Sequence, residues 1–211
     1  MTLPFRLVVI TDWRLPDLPA RVARALEAGP GIAVQHRHPG ATDRQFFDEA
    51  TALAPLCAKA NAPLFVNRRL DVALAVGAHL HLPATGLRVA DVRPFLPGKW
   101  ISVAVHDEAE ARDAAGADLA LVSPVFPPGS KPEDTRPTLG ADGLIRLAQG
   151  LPPTFALGGI DAARLRTLGP IAGAAVISAV LAAEDPRDSA AQLLATLTPR
   201  PDSEAERLAE S

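Results

Sequence analysis

Short apolar runs alternate with longer segments whose apolar residues recur every three or four positions. The short runs predict buried strands and the longer segments predict amphipathic helices, so the chain reads as strand-helix units in series. The predicted strands are Arg6–Ile10, Gly31–Gln35, Pro63–Val66, His79–Leu82, Trp100–Val105, Leu119–Val122, Thr154–Leu157 and Ala174–Ile177.

Polar residues and glycines mark the ends of the predicted helices. Thr42, Asp107 and Asp161 each precede a helical segment, where a short polar side chain can accept hydrogen bonds from free backbone N–H groups. Glycine favours the positions just after a helix. The glycines predicted to end helices are Gly29, Gly77, Gly116 and Gly150.

Eight such units in 211 residues predict an α/β fold, a single (β/α)₈ TIM barrel near the lower size limit of that architecture. The rival is a doubly wound open sheet. It is disfavoured because no G-x-G-x-x-G follows the first strand, where Thr11, Asp12 and Trp13 stand instead. We predict one barrel domain over residues 1–197 and a flexible tail over residues 198–211, which are polar and poor in large apolar groups.

Composition narrows the range of partners. The net charge is −3 and no apolar run approaches the ~18 residues that span a bilayer, so nucleic acid and membrane are not expected partners. The single cysteine, Cys57, cannot form an internal disulfide, and the N-terminus lacks a signal-peptide pattern, so we expect a cytoplasmic protein. Cys57 lies in an apolar helical pattern and is expected in the core. A homo-oligomer is left open.

A phosphate site is predicted after the last two strands. Reacting groups of such barrels lie at the carboxyl ends of the strands, and the loops after strands seven and eight often bind phosphate. Gly158 and Gly159 follow strand seven, while Ile177 and Ser178 end strand eight. Glycine lets backbone N–H groups approach an anion closely. These four residues are the predicted phosphate-binding set.

Polar residues also end strands two and three. Because side chains alternate along a strand, Gln35 and Arg37 are expected to share one direction and His36 the other. Asn67 and Arg68 follow strand three. A barrel mouth lined by such groups predicts a polar ligand. Gln35, Arg37, Asn67 and Arg68 are therefore the candidate substrate-binding residues of these two strands.

Three histidines allow more than one interpretation. His79 and His81 share a side of strand four, but two histidines without a third ligand are more often packing or hydrogen-bonding residues, and no metal site is predicted. His106 follows strand five, where it could cap the next helix or transfer protons near neutral pH.

The longest irregular segment runs from Ser123 to Gly140, and long loops in compact barrels often close over substrate. Lys131 is a candidate anion contact from this loop, although a solvated surface lysine is the alternative, and Ser130 beside it is a candidate substrate contact.

Together these motifs resemble the thiamine phosphate synthase and TenI family of small (β/α)₈ barrels, over roughly residues 7–185. The motifs that carry the resemblance are Val9-Ile10-Thr11-Asp12, Gln35-x-Arg37, Asn67-x-Arg69-x-Asp71, His81-Leu82, Pro124-Val125-Phe126-Pro127, Ser130-Lys131-Pro132, Leu139-Gly140, Gly158-Gly159-Ile160 and Ala175-Val176-Ile177-Ser178.

The synthase branch, as the resemblance implies, ionises an aminopyrimidine pyrophosphate, joins it to a thiazole phosphate and uses Mg²⁺ to hold the departing pyrophosphate. Its pattern at strand three is Asn-Asp-Arg, but here Arg68 replaces the metal-binding carboxylate. After strand four the synthase pattern contains a second carboxylate, whereas here Pro83-Ala84-Thr85-Gly86 follows. Pro39 holds the place of an expected basic residue. Mg²⁺ is therefore expected only if the synthase reaction holds.

The strand-four pattern is more similar to the TenI branch, which acts as a thiazole tautomerase without metal. That branch carries a catalytic histidine where Pro124 stands here, and an acidic residue where His38 stands. We therefore predict a thiamine-biosynthesis protein that binds a thiazole phosphate and acts as a TenI-like tautomerase without a cofactor. His38 and His106 are the predicted catalytic pair. The alternatives are a thiamine phosphate synthase and a non-catalytic phosphate-ligand binder.

Overall fold

Eight parallel strands close into one barrel in sequence order, which confirms the predicted (β/α)₈ TIM barrel. The structure, a computed structural model, describes residues 3–127 and 137–197. The eighth strand pairs with the first, for example Ala174 with Leu7. The strands are β1 Leu7–Ile10, β2 Ile32–His36, β3 Leu64–Asn67, β4 His79–Leu82, β5 Ile101–Val105, β6 Leu119–Val122, β7 Thr154–Leu157 and β8 Gly173–Val176.

All eight predicted strands are present, and no strand end differs from its predicted position by more than one residue. The differences arise where pairing continues beyond the apolar run. Asn67 pairs with His81, so β3 extends one residue further than its apolar pattern. Gly173 pairs with Phe155, so β8 begins one residue earlier. Such end shifts are normal for secondary structure.

Each strand is followed by a helix that packs outside the barrel. The helices are α1 Leu18–Leu26, α2 Asp43–Lys59, α3 Leu70–Ala75, α4 Val89–Val92, α5 Glu108–Asp113, α6 Gly140–Ala148, α7 Ala162–Leu165, α8 Ser178–Leu181 and α9 Pro186–Leu197. The three predicted N-caps are confirmed: Thr42 accepts from Gln45 N, Asp107 from Ala109 N and Glu110 N, and Asp161 from Arg164 N. Helix α9 packs against α1 and closes the ring.

The core has two parts, one inside the barrel and one between barrel and helices. The inner part is filled at the amino ends of the strands by aromatic rings, where Phe5 lies 5.8 Å from Phe65, 5.7 Å from Trp100 and 5.6 Å from Phe155 between centroids. A Cβ on Gly173 would come within 2.5 Å of Phe155. The closed lower end leaves the opposite end of the barrel to form a site.

Cys57 is 2% exposed in the core between barrel and helices, as its helical pattern predicts. Burial raises the pKa of its thiol to about 12, which makes it a poor nucleophile. Among the described residues, no helix combines the length and the apolar character needed to cross a membrane. The predicted tail, residues 198–211, lies outside the described residues.

Candidate active site

A cavity of about 520 Å³ opens at the carboxyl ends of the strands. Its floor takes one side chain from the end of every strand: Ile10, Gln35, Asn67, His81, Ala104, Leu121, Leu157 and, just after β8, Ile177. The side chains from β2, β3 and β4 are polar, whereas those from β6, β7 and β8 are apolar. We call these two parts of the barrel mouth the polar half and the apolar half.

Gln35 is the β2 residue that lines the polar half, and it is only 2% exposed. Its side-chain nitrogen, Nε2, is buried and has no hydrogen-bond partner among the described residues. A buried amide donor without an acceptor costs about 1–3 kcal/mol of folding free energy. Because Gln35 lines the cavity, the arrangement favours a ligand that brings an acceptor oxygen to this nitrogen.

Arg37 lines the same cavity, while His36 between them turns outward, as alternation along the strand predicts. The backbone of Arg37 is held by Thr11, whose hydroxyl accepts from Arg37 N at 2.9 Å and donates to Arg37 O at 3.2 Å. Burial lowers the pKa of the Arg37 guanidinium, and the nearby Asp12 carboxylate opposes that shift. The guanidinium remains charged at neutral pH. The cavity therefore contains a fixed, partly desolvated cation.

Asn67 and Arg68 complete the polar half from β3, and both line the cavity. Arg68 has a left-handed backbone, with φ of 67°, and its N–H donates to His81 O at 2.8 Å. Its guanidinium Nη2 donates to Thr85 Oγ1 at 3.3 Å in the loop after β4. Left-handed backbone is uncommon for a long side chain and often marks a functional position.

His38, a predicted catalytic residue, lines the cavity and is bonded to a glutamate from α2. Its Nδ1 lies 2.9 Å from both carboxylate oxygens of Glu49, and its ring stacks on Trp13 with centroids 4.8 Å apart. His36 lies on the outer side, with Nε2 3.5 Å from Glu49, a distance and geometry that fall short of a hydrogen bond. Burial lowers the pKa of His36 to about 4, against the opposing pull of Glu49.

His106, the second predicted catalytic residue, also lines the cavity. Its Nδ1 lies 2.7 Å from Glu110 Oε2, and the same oxygen accepts from its backbone N–H at 2.7 Å. The helix-capping role that the sequence left open for His106 is filled by Asp107. Both predicted catalytic histidines are therefore oriented by a glutamate, an arrangement that sets the histidine tautomer in many acid-base sites.

His79 and His81 make packing and hydrogen-bond contacts, the more common role for such a pair. His79 stacks on Trp100 and accepts from Trp100 N at 2.9 Å. His81 Nδ1 lies 2.7 Å from Ser102 Oγ below the cavity. Burial is the main cause that lowers the pKa of His79 to about 4 and that of His81 to about 3, so both rings are neutral at pH 7.

The predicted phosphate residues lie at the ends of β7 and β8, and among them Ile177 lines the cavity while Ser178 is exposed. Gly158 and Gly159 are left-handed, with φ of 97° and 60°. A Cβ on Gly158 would lie 2.9 Å from Pro124 Cα, and one on Gly159 would lie 2.6 Å from Pro127 O. Both glycines are thus required for packing of the loop after β6, a structural role that the sequence did not reveal.

The first described flank of the loop after β6 is bonded to β7, and the second flank is bonded to the first. Val125 N donates to Leu157 O at 2.9 Å, and Gly140 N donates to Val125 O at 2.9 Å. Ser123 at the start of the loop lines the cavity. The candidate contacts Ser130 and Lys131 lie outside the described residues, so their roles stay predictions.

Mg²⁺, which the family resemblance implies for the synthase branch, would need ligands from the donors of this cavity. Mg²⁺ prefers carboxylate oxygens and water in octahedral geometry. Among the described residues, no aspartate or glutamate lines the cavity, whereas three arginines, Arg37, Arg68 and Arg69, do. The described residues also contain no group of three or more potential metal-binding side chains. The donor set does not fit Mg²⁺.

Three contributors to the site were missed by sequence reasoning: Glu49, Glu110 and Ser102. Glu110 stands four residues after His106 within a predicted helix, a spacing that brings side chains together and could have revealed it. Glu49 contacts His38 from the helix of the same strand-helix unit, and Ser102 contacts a histidine of the neighbouring strand. The packing of α2 on β2 and the register of β4 with β5 bring these pairs together, and the local sequence contains neither.

These observations define the class of protein. It is a (β/α)₈ barrel with a cavity at the carboxyl ends of its strands, one half of which is polar and contains arginines. The family model described as "Thiamine monophosphate synthase" matches residues 7–180, and the chain belongs to this family.

Two relatives named thiamine-phosphate synthase illustrate the similarity. The protein from Chloroflexus aurantiacus is 37% identical over 202 residues, covering 92% of this chain and 93% of the relative. The protein from Chlorobium luteolum is 40% identical over 201 residues, covering 90% and 92%. The solved structure of thiamine phosphate pyrophosphorylase from Pyrococcus furiosus has a TM-score of 0.81 and 32% identity, and the match covers 92% of this chain and 95% of that one.

The predicted family is therefore confirmed. The finer prediction of the TenI branch receives no such support, because these relatives carry the name of the synthase.

Proposed function

We propose that the chain is a thiamine-phosphate synthase, the alternative that the sequence ranked second. The observation that carries this proposal is the polar half of the cavity, where the unsatisfied Gln35 amide lies beside two arginines, Arg37 and Arg68. Such donors suit a highly charged anion such as pyrophosphate. The synthase name of close relatives over nearly the whole chain supports the same reaction.

In the proposed reaction an aminopyrimidine pyrophosphate and a thiazole phosphate combine. The bond between the pyrimidine methylene carbon and the pyrophosphate oxygen breaks, and both electrons leave with the oxygen. The thiazole nitrogen then donates its lone pair to that carbon, giving thiamine phosphate and free pyrophosphate. No proton transfer is needed for this exchange, so the main task of the protein is to position both substrates and stabilise the leaving group's charge.

The polar half would bind the departing pyrophosphate through the Gln35 amide and the guanidinium groups of Arg37 and Arg68. The apolar half would hold the thiazole, with its phosphate near Gly158, Gly159, Ile177 and Ser178. The N–H of Gly159 has no acceptor among the described residues, which supports an anion there. A cavity of about 520 Å³ lies in the range of ordinary small-molecule sites.

The test is to incubate the purified protein with both substrates and measure thiamine phosphate by mass spectrometry and pyrophosphate by phosphorus NMR. Stoichiometric appearance of both products is expected. The Gln35→Leu protein should bind and turn over far less. Failure of the wild-type protein to form either product, under conditions in which it binds both substrates, would refute the synthase proposal and leave the tautomerase and ligand-binder alternatives.

A second candidate, the thiazole tautomerase, is favoured by one specific observation. The two cavity histidines, His38 and His106, are each paired through Nδ1 with a glutamate. With that glutamate ionised, Nδ1 carries the proton and Nε2 is left as the base, which is the form required to move a proton on a carboxythiazole phosphate. The synthase reaction does not use this feature.

Isomerisation of the carboxythiazole phosphate, followed by ultraviolet absorbance, tests the tautomerase. The His106→Ala and His38→Ala proteins should each lose at least about tenfold in rate if the histidines transfer the proton. A full rate in both variants would exclude these residues from the reaction, and no isomerisation by the wild type would exclude the reaction itself.

A further inference from the structure

The polar half of the cavity contains excess positive charge where the family places Mg²⁺ ligands. Arg68 stands at the position of a metal-binding carboxylate, and the described lining contains three arginines and no carboxylate. Neither Arg37 nor Arg68 forms an ion pair with a described carboxylate, in contrast to Arg69, which lies 2.6 Å from both Asp43 and Asp71 oxygens. Two of the three guanidinium groups are therefore available to an anionic ligand within the described part of the chain.

The geometry of Arg68 directs its charge toward the mouth. Its left-handed backbone is fixed by the N–H bond to His81 O, and its Nη2 reaches Thr85 across the end of β4. The second position at which the family carries a carboxylate lies beside Thr85. Arg68 therefore extends from one of the family's two metal-ligand positions toward the other. A guanidinium offers up to five donors in a planar array that matches phosphate oxygens.

We propose that Arg68, together with Arg37, binds the pyrophosphate group directly and replaces the divalent cation, so that pyrophosphate binding by this protein is independent of metal. The inference rests on the proposed function only for its choice of pyrophosphate as the anion. Gln35 Nε2, which has no hydrogen-bond partner among the described residues, adds a neutral donor for the same anion. Arg68 here is a binding residue that acts by charge and by hydrogen bonding.

Binding of inorganic pyrophosphate, measured by titration calorimetry in excess EDTA, is the direct test. The wild-type protein should bind under these conditions, and added Mg²⁺, at equal free pyrophosphate, should leave the affinity within about twofold. The Arg68→Asn protein should bind at least about tenfold more weakly, as expected for loss of a charge-assisted hydrogen bond. Asparagine tolerates a left-handed backbone, so this variant removes charge while the fold is preserved.

Two further variants sharpen the comparison. Arg44→Asn removes an exposed arginine on α2, outside the cavity, and should leave pyrophosphate affinity unchanged. Arg68→Asp restores the family's carboxylate, and it should lose binding in EDTA and recover part of it when Mg²⁺ is added. An equal Mg²⁺ response in the wild type and Arg68→Asp would overturn the inference.

The inference would equally be overturned if wild-type binding required Mg²⁺, or if Arg68→Asn bound as tightly as the wild type in EDTA. Failure of the proposed function gives a different result: pyrophosphate binds in EDTA and depends on Arg68, yet no thiamine phosphate forms from the two substrates. The converse result is turnover that requires Mg²⁺ and is unaffected by Arg68→Asn. That result would support the synthase proposal and refute the inference that Arg68 replaces the metal ion.

Discussion

The polar half and the apolar half of the barrel mouth differ in how far their groups are hydrogen-bonded and packed within the protein. The polar half contains buried or partly buried donors that carry a folding penalty, such as Gln35 Nε2, and two arginines, Arg37 and Arg68, that form no ion pair with a described carboxylate. The apolar half is lined by Leu121 and Leu157, and beside it the glycines after β7 lie close to the loop after β6. The polar half is thus arranged for a ligand at the expense of stability, while the apolar half gains stability from close packing. A change in the polar half should therefore shift stability and function in opposite directions, whereas a change in the apolar half should lower both together.

Acid should change stability most strongly, because three histidines shielded from water, His36 on β2 and His79 and His81 on β4, lie on strands that form the polar half. Burial lowers their pKa to about 4 for His36 and His79 and to about 3 for His81, below the ordinary value of 6.5. The unfolded chain therefore takes up protons first as pH falls below 6.5, and folding stability is lost from there down toward the folded pKa values. At pH 5 this amounts to about 2 kcal/mol for each histidine, about 6 kcal/mol for the three together.

Urea unfolding at pH 7 and pH 5 measures this effect. The paired carboxylates Asp12, Asp71 and Asp185 have lowered pKa values and titrate below this window, so they do not contribute to the difference. The His81→Gln protein should show roughly two thirds of the wild-type pH dependence. Equal free energies of unfolding at the two pH values would mean that none of the three histidines is held neutral in the folded protein.

Gln35→Leu should separate stability from function in the polar half. Leucine fills a similar volume and removes the unsatisfied donor, so the free energy of unfolding should stay equal or rise, by up to about 1–3 kcal/mol. The substrate loses a hydrogen bond at the reacting end, so kcat/KM should fall about a hundredfold, or about 2.7 kcal/mol. Urea unfolding and steady-state kinetics give the two readings. Leu121→Met, a volume-conserving change in the apolar half, should alter both by little.

The sequence specified the barrel almost completely but the site only in part. Alternation along β2 was enough to direct Gln35 and Arg37 inward and His36 outward, because a strand has a fixed period of two. The pairing of His38 with Glu49 depends on how α2 packs against β2, which no local pattern contains.

The glycine pair shows the same limit. Gly158 and Gly159 were recognised from their position after strand seven, yet no local pattern revealed the Pro124 and Pro127 atoms that crowd them. Local periodicity therefore predicts elements and directions, whereas contacts between distant loops need the closed barrel.

Gly159→Ala tests the apolar half, where function and stability should fall together. Alanine is strained at φ of 60°, and its Cβ would lie 2.6 Å from Pro127 O, so the free energy of unfolding should drop by about 2 kcal/mol. Gly98→Ala is the matched control, since Gly98 has φ of 70° but no atom within 4 Å of an added Cβ; it should lose about 1 kcal/mol from strain alone.

Thermal and urea unfolding compare the two glycine variants, and calorimetric titration with thiazole phosphate compares their ligand binding. Thiazole phosphate should bind several-fold more weakly to Gly159→Ala and equally well to Gly98→Ala. Equal losses of stability in both variants would show that the contact with Pro127 adds nothing beyond backbone strain.

Thr85→Val makes the smallest expected change and isolates the orientation of Arg68. The hydrogen bond from Arg68 Nη2 to Thr85 Oγ1 is exposed and 3.3 Å long, so its loss should cost little stability. Valine keeps the shape of threonine but cannot accept, so the guanidinium samples more positions and pyrophosphate affinity in EDTA should fall about twofold to threefold, about 0.5 kcal/mol. A fall as large as that of Arg68→Asn would mean that Thr85 itself contacts the anion, and the polar half would then extend to the loop after β4.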